Sequence, residues 1–312
     1  MKRLFVFLTS IVTAVILLPS LIVMIFSPFS NITESNNTNY KTVRVLDKGE
    51  VNTVNLEDYL YGVLAGEMPA SFHEEALKAQ AVAARTYIIH KCIRGSKDHP
   101  EADVCTDSTH CKAHLSEDEI AAELGNDWAA KYSSKMKKAV KDTAGEIIEY
   151  NGEPIEAVFH SCGSGVTENA SDVWGGDVPY LKSVSSPGDV FSPKFSKDVS
   201  VSFDVFCKVV NERSGMNTAP YIGEVTRNES GSVKTADLGG ALLSGTEIRK
   251  IFSLPSANFT VEALDNYFVF HCKGSGHGVG MSQYGAEYFA ENGMNYRDIL
   301  KTYYKDVEIV KQ

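Results

Sequence analysis

The sequence predicts an α+β protein in which short strands and helices are mixed. Several short runs alternate apolar and polar residues, which is typical of strands. One long segment, residues 74–92, contains neither glycine nor proline and is rich in alanine, which predicts a helix. The strands and helices do not follow each other in regular βαβ order, so the α+β class is favoured. Residues 41–312 are numerous enough for a substantial core, with room for two lobes.

The first residues predict a membrane anchor. Lys2 and Arg3 precede an uncharged apolar run, Leu4 to Phe26. As a helix this run is roughly 34 Å long, enough to cross a bilayer core. No small-x-small pattern follows it, so a retained anchor is favoured over a cleaved signal peptide. Residues 1–27 are therefore predicted as cytoplasmic tip and transmembrane helix, 28–40 as a flexible stalk, and 41–312 as an extracytoplasmic region.

Charge limits the classes of partner. The chain has 30 basic and 40 acidic residues, with a net charge of −10. A nucleic-acid-binding protein needs a basic face, so this class is disfavoured. Bulk attraction to an anionic wall or membrane surface is disfavoured on the same ground.

The elements can be predicted in order along residues 41–312. A strand or hairpin around Gly49 comes first, and Asn151-Gly152 between apolar runs predicts a second hairpin with a type I′ turn. Helices are predicted over 56–64, 74–92, 117–141 with a break at 125–126, 205–213, 243–252, 282–292 and 296–304, with strands over 259–271 and before residue 309.

The segment Gly66-Glu67-Met68-Pro69 precedes the long helix. Its glycine permits a tight backbone and its proline stops regular structure, so we expect Glu67 on a turn. Ser71 and Glu74 have the spacing of a capping box at the start of the helix. The alternative is a solvated surface glutamate before an ordinary core helix.

A polar loop contains a candidate metal site. His99, Cys105, His110 and Cys111 supply imidazoles and thiolates within one short span, which suits a closed, structural Zn²⁺ site. His114 is a spare ligand if one of these points away. The alternative is a Cys105–Cys111 disulfide, which the spacing allows in an exported protein.

Four motifs together resemble the stage II sporulation protein D family. They are Gly66-Glu67-Met68-Pro69, AQAVAARTY from Ala79, FHSCGSG from Phe159, and GHGVGMSQYGA from Gly276 to Ala286. The last is the most specific. The resemblance extends over residues 43–309, and the single amino-terminal anchor also fits it.

The resemblance implies a membrane-anchored lytic transglycosylase of spore-forming bacteria. Such an enzyme cuts septal peptidoglycan during engulfment, and its expected location is the cell membrane on the mother-cell side of the septum. The implied partners are an amidase that strips stem peptides and a membrane scaffold protein. The catalytic glutamate of the family matches Glu67, and its important arginine and tyrosine match Arg85 and Tyr180.

Residues near the other motifs suit a glycan cleft between two lobes. Tyr180 and Trp174 can stack on sugar faces. Arg85 is assigned to positioning substrate rather than to proton transfer. Further polar side chains next to glycines are candidate glycan contacts, with turn and core hydrogen bonding as the alternative: His160, Ser161, His277, Gln283 and Tyr284.

Three other functions remain open at this point. A zinc-dependent amidase would need an open metal position and a nearby base such as Glu101. A non-catalytic glycan-binding or scaffold module would bind strands without cutting them. A thiol enzyme built on His160 and Cys162 is disfavoured, because residues so close in sequence project poorly for mutual attack.

Overall fold

The computed structural model describes residues 41–107 and 111–312. All of these residues belong to one compact unit. The predicted anchor, stalk and His110 lie outside the described residues. Within the described ranges, no helix has the length and apolar character needed to cross a membrane.

The architecture is α+β, as the sequence predicted. The helices are α1 (Leu56–Glu67), α2 (Glu74–Arg94), α3 (Glu117–Leu124), α4 (Asn126–Asp142), α5 (Ala170–Trp174), α6 (Phe203–Ser214), α7 (Gly245–Ile251), α8 (Gln283–Glu291) and α9 (Tyr296–Tyr303), with a 3₁₀ turn at Pro187–Phe191. The strands are β1 (Thr42–Asp47), β2 (Glu50–Asn55), β3 (Val104–Cys105), β4 (Glu146–Tyr150), β5 (Glu153–Pro154), β6 (Phe159–His160), β7 (Ser196–Ser202), β8 (Ile222–Arg227), β9 (Val233–Leu238), β10 (Ala241–Ser244), β11 (Phe259–Ala263), β12 (Tyr267–Lys273), β13 (Met281–Ser282) and β14 (Glu308–Lys311).

The strands form small sheets rather than one large one. Their orders are β2-β1-β3, β10-β9-β8, β11-β12-β7, β13-β6 and β14-β4-β5. The pairs β1–β3 and β6–β13 are parallel, and the other pairs are antiparallel. The two-residue pair β6–β13 brings the FHSCGSG and GHGVGMSQYGA motifs side by side.

Helix α2 is the centre of the larger core. It contacts α1, α4, β4, α8 and α9. Its alanines are fully buried, and this small cross-section allows neighbours to pack closely on several sides. A helix that is buried on several sides needs no polar face, so the alanine-rich segment shows little amphipathic pattern in the sequence.

A second, smaller core lies around β7, β9, β11, β12, α6 and α7. Aromatic rings dominate it: Phe206 stacks on Phe252 with centroids 5.8 Å apart and contacts Phe268 at 4.8 Å. The two buried clusters agree with the expected room for two lobes, although both lie within one compact unit.

Local turn signals were good predictors. Asn151 and Gly152 have φ of 52° and 79° between β4 and β5, as a type I′ hairpin requires. Helices α3 and α4 are divided at Gly125 as predicted. The capping box predicted at Ser71 and Glu74 is wrong, because His73 is the N-cap and its Nδ1 accepts from the Glu75 N–H at 3.2 Å.

Candidate active site

Glu67 is the last residue of α1 rather than part of a separate turn. The helix continues three residues past its predicted end, and Met68 caps it with extended dihedral angles. The Glu67 side chain is partly exposed, and its Oε1 accepts a hydrogen bond from the Ala113 backbone N–H at 2.8 Å. The loop that follows Cys111 therefore holds one oxygen of the candidate catalytic carboxylate.

Gly66 explains how the loop comes so near to the helix end. A Cβ at this position would lie 3.2 Å from the Ala113 carbonyl carbon and 3.3 Å from its Cβ. A side chain at this position would require the loop to shift by a few tenths of an ångström. Close packing, rather than a left-handed backbone, therefore favours the glycine in the motif.

Lys112 lies beside Glu67 and was not identified from the sequence. Its Nζ is 3.8 Å from the centre of the Phe159 ring and 4.8 Å from that of Tyr87. Burial lowers the pKa of Lys112, while the charges of Glu67 and Glu156 act in the opposite direction. Only its position directly after Cys111 could have drawn attention to it.

The candidate metal residues that the structure describes do come together. One ligand atom each from His99, Cys105 and Cys111 can be chosen so that all lie within 4.8 Å of one another. All three residues are buried. The His99 Nε2 is 3.2 Å from the Cys111 Sγ, and the other ring nitrogen, Nδ1, is 3.1 Å from the Ala102 carbonyl oxygen.

This donor set fits zinc. Two thiols and an imidazole are ligands that zinc prefers, and a carbonyl on the second ring nitrogen orients a histidine for metal binding. No disulfide joins Cys105 to Cys111. His114 does not belong to the cluster, because its ring stacks on Tyr59 with centroids 4.5 Å apart.

Arg85 is placed differently from the sequence prediction. Its side chain is fully buried and forms two hydrogen bonds with the Glu57 carboxylate, at 2.8 Å and 2.7 Å. It also donates to the carbonyls of Val140 and Glu146, both at 3.2 Å. Arg85 thereby joins α2 to α1, α4 and β4 within the core.

The rings of His160, which is buried, and His277, which is half-buried, have centroids 5.6 Å apart. Nδ1 of His160 donates to the Val279 carbonyl at 3.2 Å, and Nε2 of His277 donates to the Phe159 carbonyl at 3.1 Å. Nδ1 of His277 accepts from the Val279 N–H. Burial lowers the pKa of His160 to about 4 and that of His277 well below its usual value, so both rings are neutral near pH 7.

These contacts correspond to the turn and core hydrogen bonding that was the alternative for both histidines. The His160 Nε2 is the exception, because it is buried and lacks a hydrogen-bond partner in the described part of the chain. Cys162 is buried, and burial raises the pKa of its thiol, which argues against the thiol-enzyme alternative.

The other predicted glycan contacts have mixed surroundings. Trp174 is 52% exposed and packs on His277 with centroids 5.2 Å apart. The Tyr180 hydroxyl accepts from the Glu156 N–H at 3.1 Å. Tyr284 and Ser161 are half-buried, and the Tyr284 N–H donates to the Ser161 carbonyl.

Gln283 is placed in the interior. It is buried on α8 and its Nε2 is 3.4 Å from the Gln80 Oε1 on α2. Among the residues in this group, Trp174 is therefore the most open to a ligand.

Comparison with known proteins agrees with these observations. A family model described as "Stage II sporulation protein" matches residues 47–150, which include Glu67 and the metal cluster. The chain is 40% identical over 262 residues to Stage II sporulation protein D of Bacillus amyloliquefaciens, an alignment covering 83% of this chain and 75% of that protein. With Stage II sporulation protein D of Bacillus subtilis (strain 168), it is 39% identical over 264 residues, covering the same 83% and 75%.

A more distant relative has a different name. The amidase enhancer of Bacillus subtilis (strain 168) is 30% identical over 298 residues, covering 78% of this chain but 39% of that protein. The motifs, the extent of the identity and the coverage of the Bacillus proteins lead to one assignment. The chain belongs to the stage II sporulation protein D family.

Proposed function

We propose that this protein is a lytic transglycosylase that cuts peptide-free glycan strands of peptidoglycan during sporulation. The single observation that carries the proposal is the partly exposed Glu67 carboxylate at the end of α1, held by the Ala113 N–H. The position of Glu67 within residues 47–150, which match the family model, supports the assignment.

One carboxyl group is sufficient for this reaction. Ordinary glycosidases use two carboxylates, because water must be activated or a covalent intermediate formed. Here Glu67 donates its proton to the glycosidic oxygen as the bond from C1 of N-acetylmuramic acid breaks. The sugar's own C6 oxygen then bonds to C1 and returns its proton to Glu67. The product is a 1,6-anhydro end, and no water is consumed.

The proposed setting follows from the same family. We propose that residues 4–26 anchor the protein in the membrane, with residues 41–312 outside the cytoplasm on the mother-cell side of the septum. An amidase that removes stem peptides would act before it, and a membrane scaffold protein would hold both enzymes at the septum. The relationship to an amidase enhancer agrees with a wall-degrading partner.

We further propose that His99, Cys105, His110 and Cys111 hold one structural Zn²⁺. The mutual proximity of the three described ligands and their burial support a closed site. Bound there, zinc would cross-link the loop and would take no part in glycan cleavage. The burial of these residues also disfavours the zinc-amidase alternative, which needs a metal open to substrate.

A non-catalytic glycan-binding module is the second candidate, and the name of the amidase enhancer favours it. The products distinguish the two. Incubation of purified, peptide-free strands with the full chain should give anhydro-muramic ends, detected by mass spectrometry. A binding module would leave the strands uncut, and an amidase would release stem peptides from peptide-bearing strands.

Glu67→Gln tests the carboxyl group directly. The amide keeps the shape of the side chain and can still accept from the Ala113 N–H, but it cannot deliver a proton. We expect turnover to fall by at least about 10²- to 10⁴-fold, with folding and glycan binding retained. Glu212→Gln, at an exposed position on α6, is the matched control and should keep full activity. Near wild-type turnover by Glu67→Gln would place the acid elsewhere, and Glu168 and Asp172 would be examined next.

A further inference from the structure

A cleft in the described part of the molecule contains an arginine that no protein group neutralises. The cleft lies between loops of the larger core and residues of the smaller core, and its lining includes Ser164, Glu168, Asn228, Arg249, Asn258 and His277. Arg249 is half-buried on α7. Burial lowers its pKa, and no nearby carboxylate or carbonyl acts in the opposite direction.

This absence of a partner distinguishes Arg249 from the other arginines between residues 41 and 312. Each of those donates to a carboxylate or a backbone carbonyl: Arg44, Arg85, Arg94, Arg213, Arg227 and Arg297. A guanidinium removed from water without a counter-charge is destabilising. Such a group is typical of a site whose partner arrives with a ligand.

The acidic groups in the same cleft are engaged elsewhere. The Glu168 carboxylate accepts hydrogen bonds from the hydroxyls of Ser230 and Ser232, and burial raises its pKa. Asp172 accepts from the Asn169 Nδ2 at 2.9 Å. Neither carboxylate forms an ion pair with Arg249 within the described ranges, so the cation remains available.

The cleft encloses about 30 Å³, so it can admit the carboxylate end of a ligand while the sugar ring stays at its polar rim. Hydroxyl and amide groups of Ser164, Asn228 and Asn258 can bond to sugar hydroxyl and acetamido groups. The glycine-rich wall is closely packed, since a Cβ at Gly276 would lie 2.8 Å from the His160 Cβ, and one at Gly278 would lie 2.7 Å from the Glu168 Cγ.

The cleft is connected to Glu67 by a series of contacts. His277 lines the cleft and donates to the Phe159 carbonyl, and the Phe159 ring lies 3.8 Å from the Lys112 Nζ. The next residue, Ala113, holds Glu67. The cleft and Glu67 are therefore linked through adjoining residues of the same core, with the buried strand β6 between them.

We propose that Arg249 binds the lactyl carboxylate of an N-acetylmuramic acid residue on a stripped glycan strand. The inference rests on the proposed function, because it specifies the substrate of that site. Removal of the stem peptide converts a neutral lactyl amide into a carboxylate, which is the anion that a guanidinium binds through two parallel hydrogen bonds. The chain has a net charge of −10, and Arg249 and the exposed Lys273 supply the positive charge that lines this cleft, so attraction of an anion is local to it. The cleft thus distinguishes strands from which the amidase has removed the stem peptides from strands that still carry them.

The test compares two strands that differ only at the lactyl group. One is peptide-free glycan, and the other is the same material with its carboxylates converted to methylamides. Binding is measured by co-sedimentation with the full chain carrying Glu67→Gln, which keeps the strands intact. We expect methylamide strands to bind about 10- to 100-fold more weakly, the range for losing a hydrogen bond to a charged group.

The variants assign this preference to a residue. Adding Arg249→Gln should remove the preference, whereas Lys250→Gln, which removes an exposed cation from the same helix, should keep it. Circular dichroism checks folding, and Arg249→Met, which preserves the buried stem, replaces Arg249→Gln if that variant does not fold. Equal binding of both strands, or a preference that survives the loss of Arg249, would overturn the proposal.

The proposal and the proposed function fail in different ways. If wild-type protein produces no anhydro ends, the transglycosylase activity is wrong, and the binding preference is still measured independently. If anhydro ends form but both strands bind equally, the activity stands and the role of Arg249 is wrong.

Discussion

At the scale of single residues, Glu67 and Arg85 show how differently two charges from one motif region are used. Glu67 is partly exposed and makes one backbone hydrogen bond. Arg85 is fully buried, with the Glu57 carboxylate and two backbone carbonyls as partners. The first arrangement leaves a group available for chemistry, and the second makes a cross-link within the core.

Replacing Arg85 should therefore destabilise the fold. Arg85→Ala removes the charged donor to the Glu57 carboxylate and to two buried carbonyls, and we expect the free energy of unfolding to fall by about 3 kcal/mol. This value is at the lower end of the range for breaking a buried ion pair, because the Glu57 side chain is 34% exposed. Urea denaturation of the full chain measures the change.

Arg94→Ala is the control on the same helix. The Arg94–Glu153 pair is largely exposed on both sides, so its loss should cost less than about 1 kcal/mol. If Arg85→Ala kept wild-type stability but lost glycan binding, the role in substrate binding predicted from the sequence would be correct.

At the scale of elements, the loop from β3 to α3 links the candidate metal cluster to the Glu67 carboxylate proposed as the catalytic acid. Cys105 and Cys111 are at the cluster, and Ala113, two residues later, donates to Glu67. A metal in the cluster would fix this loop, and the hydrogen bond to Glu67 would be fixed with it.

Metal analysis of the full chain should show about one zinc per chain. Cys111→Ser should lower both the zinc content and the melting temperature, because metal binding contributes directly to folding. His110→Ala should weaken zinc binding if His110 is the fourth ligand. Cys207→Ser, on α6 and outside the cluster, should change neither measurement. A Cys105–Cys111 disulfide found by peptide mapping, without zinc, would contradict the assignment.

At the scale of the whole molecule, buried His160 and its neighbour His277 make stability depend on pH. His160 and His277 lie close to Lys112 and Arg249, whose charges add to the effect of burial, while Asp189 partly offsets it at His160. The pKa of His160 is about 4 in the folded protein, and that of an unfolded histidine is about 6.5. Between these values the unfolded chain binds more protons, so stability falls as the pH decreases from about 6.5 to 4.

His160→Asn should make this fall shallower, because an asparagine amide can replace the Nδ1 donor to the Val279 carbonyl without titrating. His271→Asn is a control of opposite sign. Asp198 raises the pKa of His271, so its contribution is present at low pH and lost as the pH rises through its folded value. Removing it should steepen the loss of stability on acidification. Melting temperatures between pH 7 and 5 measure both slopes, and identical slopes in wild type and His160→Asn would contradict the argument.

The sequence predicted what local chemistry determines. The Asn151-Gly152 hairpin and the break at Gly125 each depend on residues a few positions apart. The proximity of the described metal residues was predicted because they share one loop.

Long-range contacts determine what was not predicted. Arg85 appeared available because its partner, Glu57, is 28 residues away on another helix. Arg249 and Lys112 carried no motif, and their significance depends on which carboxylates lie near them in the fold. Strands β6 and β13, two residues each, pair across more than a hundred residues, so no local periodicity could show them.

The hydrogen bond from Ala113 to Glu67 also determines which oxygen of the carboxyl group carries the transferable proton. An amide N–H can only donate, so Oε1 remains an acceptor whether the carboxyl group is ionised or protonated. The transferable proton therefore resides on Oε2. In the proposed reaction this single atom delivers the proton to the departing sugar and receives it from the C6 hydroxyl, so both oxygens of the substrate must approach the same edge of the carboxyl group in turn. The backbone of one loop thus sets the side from which a strand can be cut.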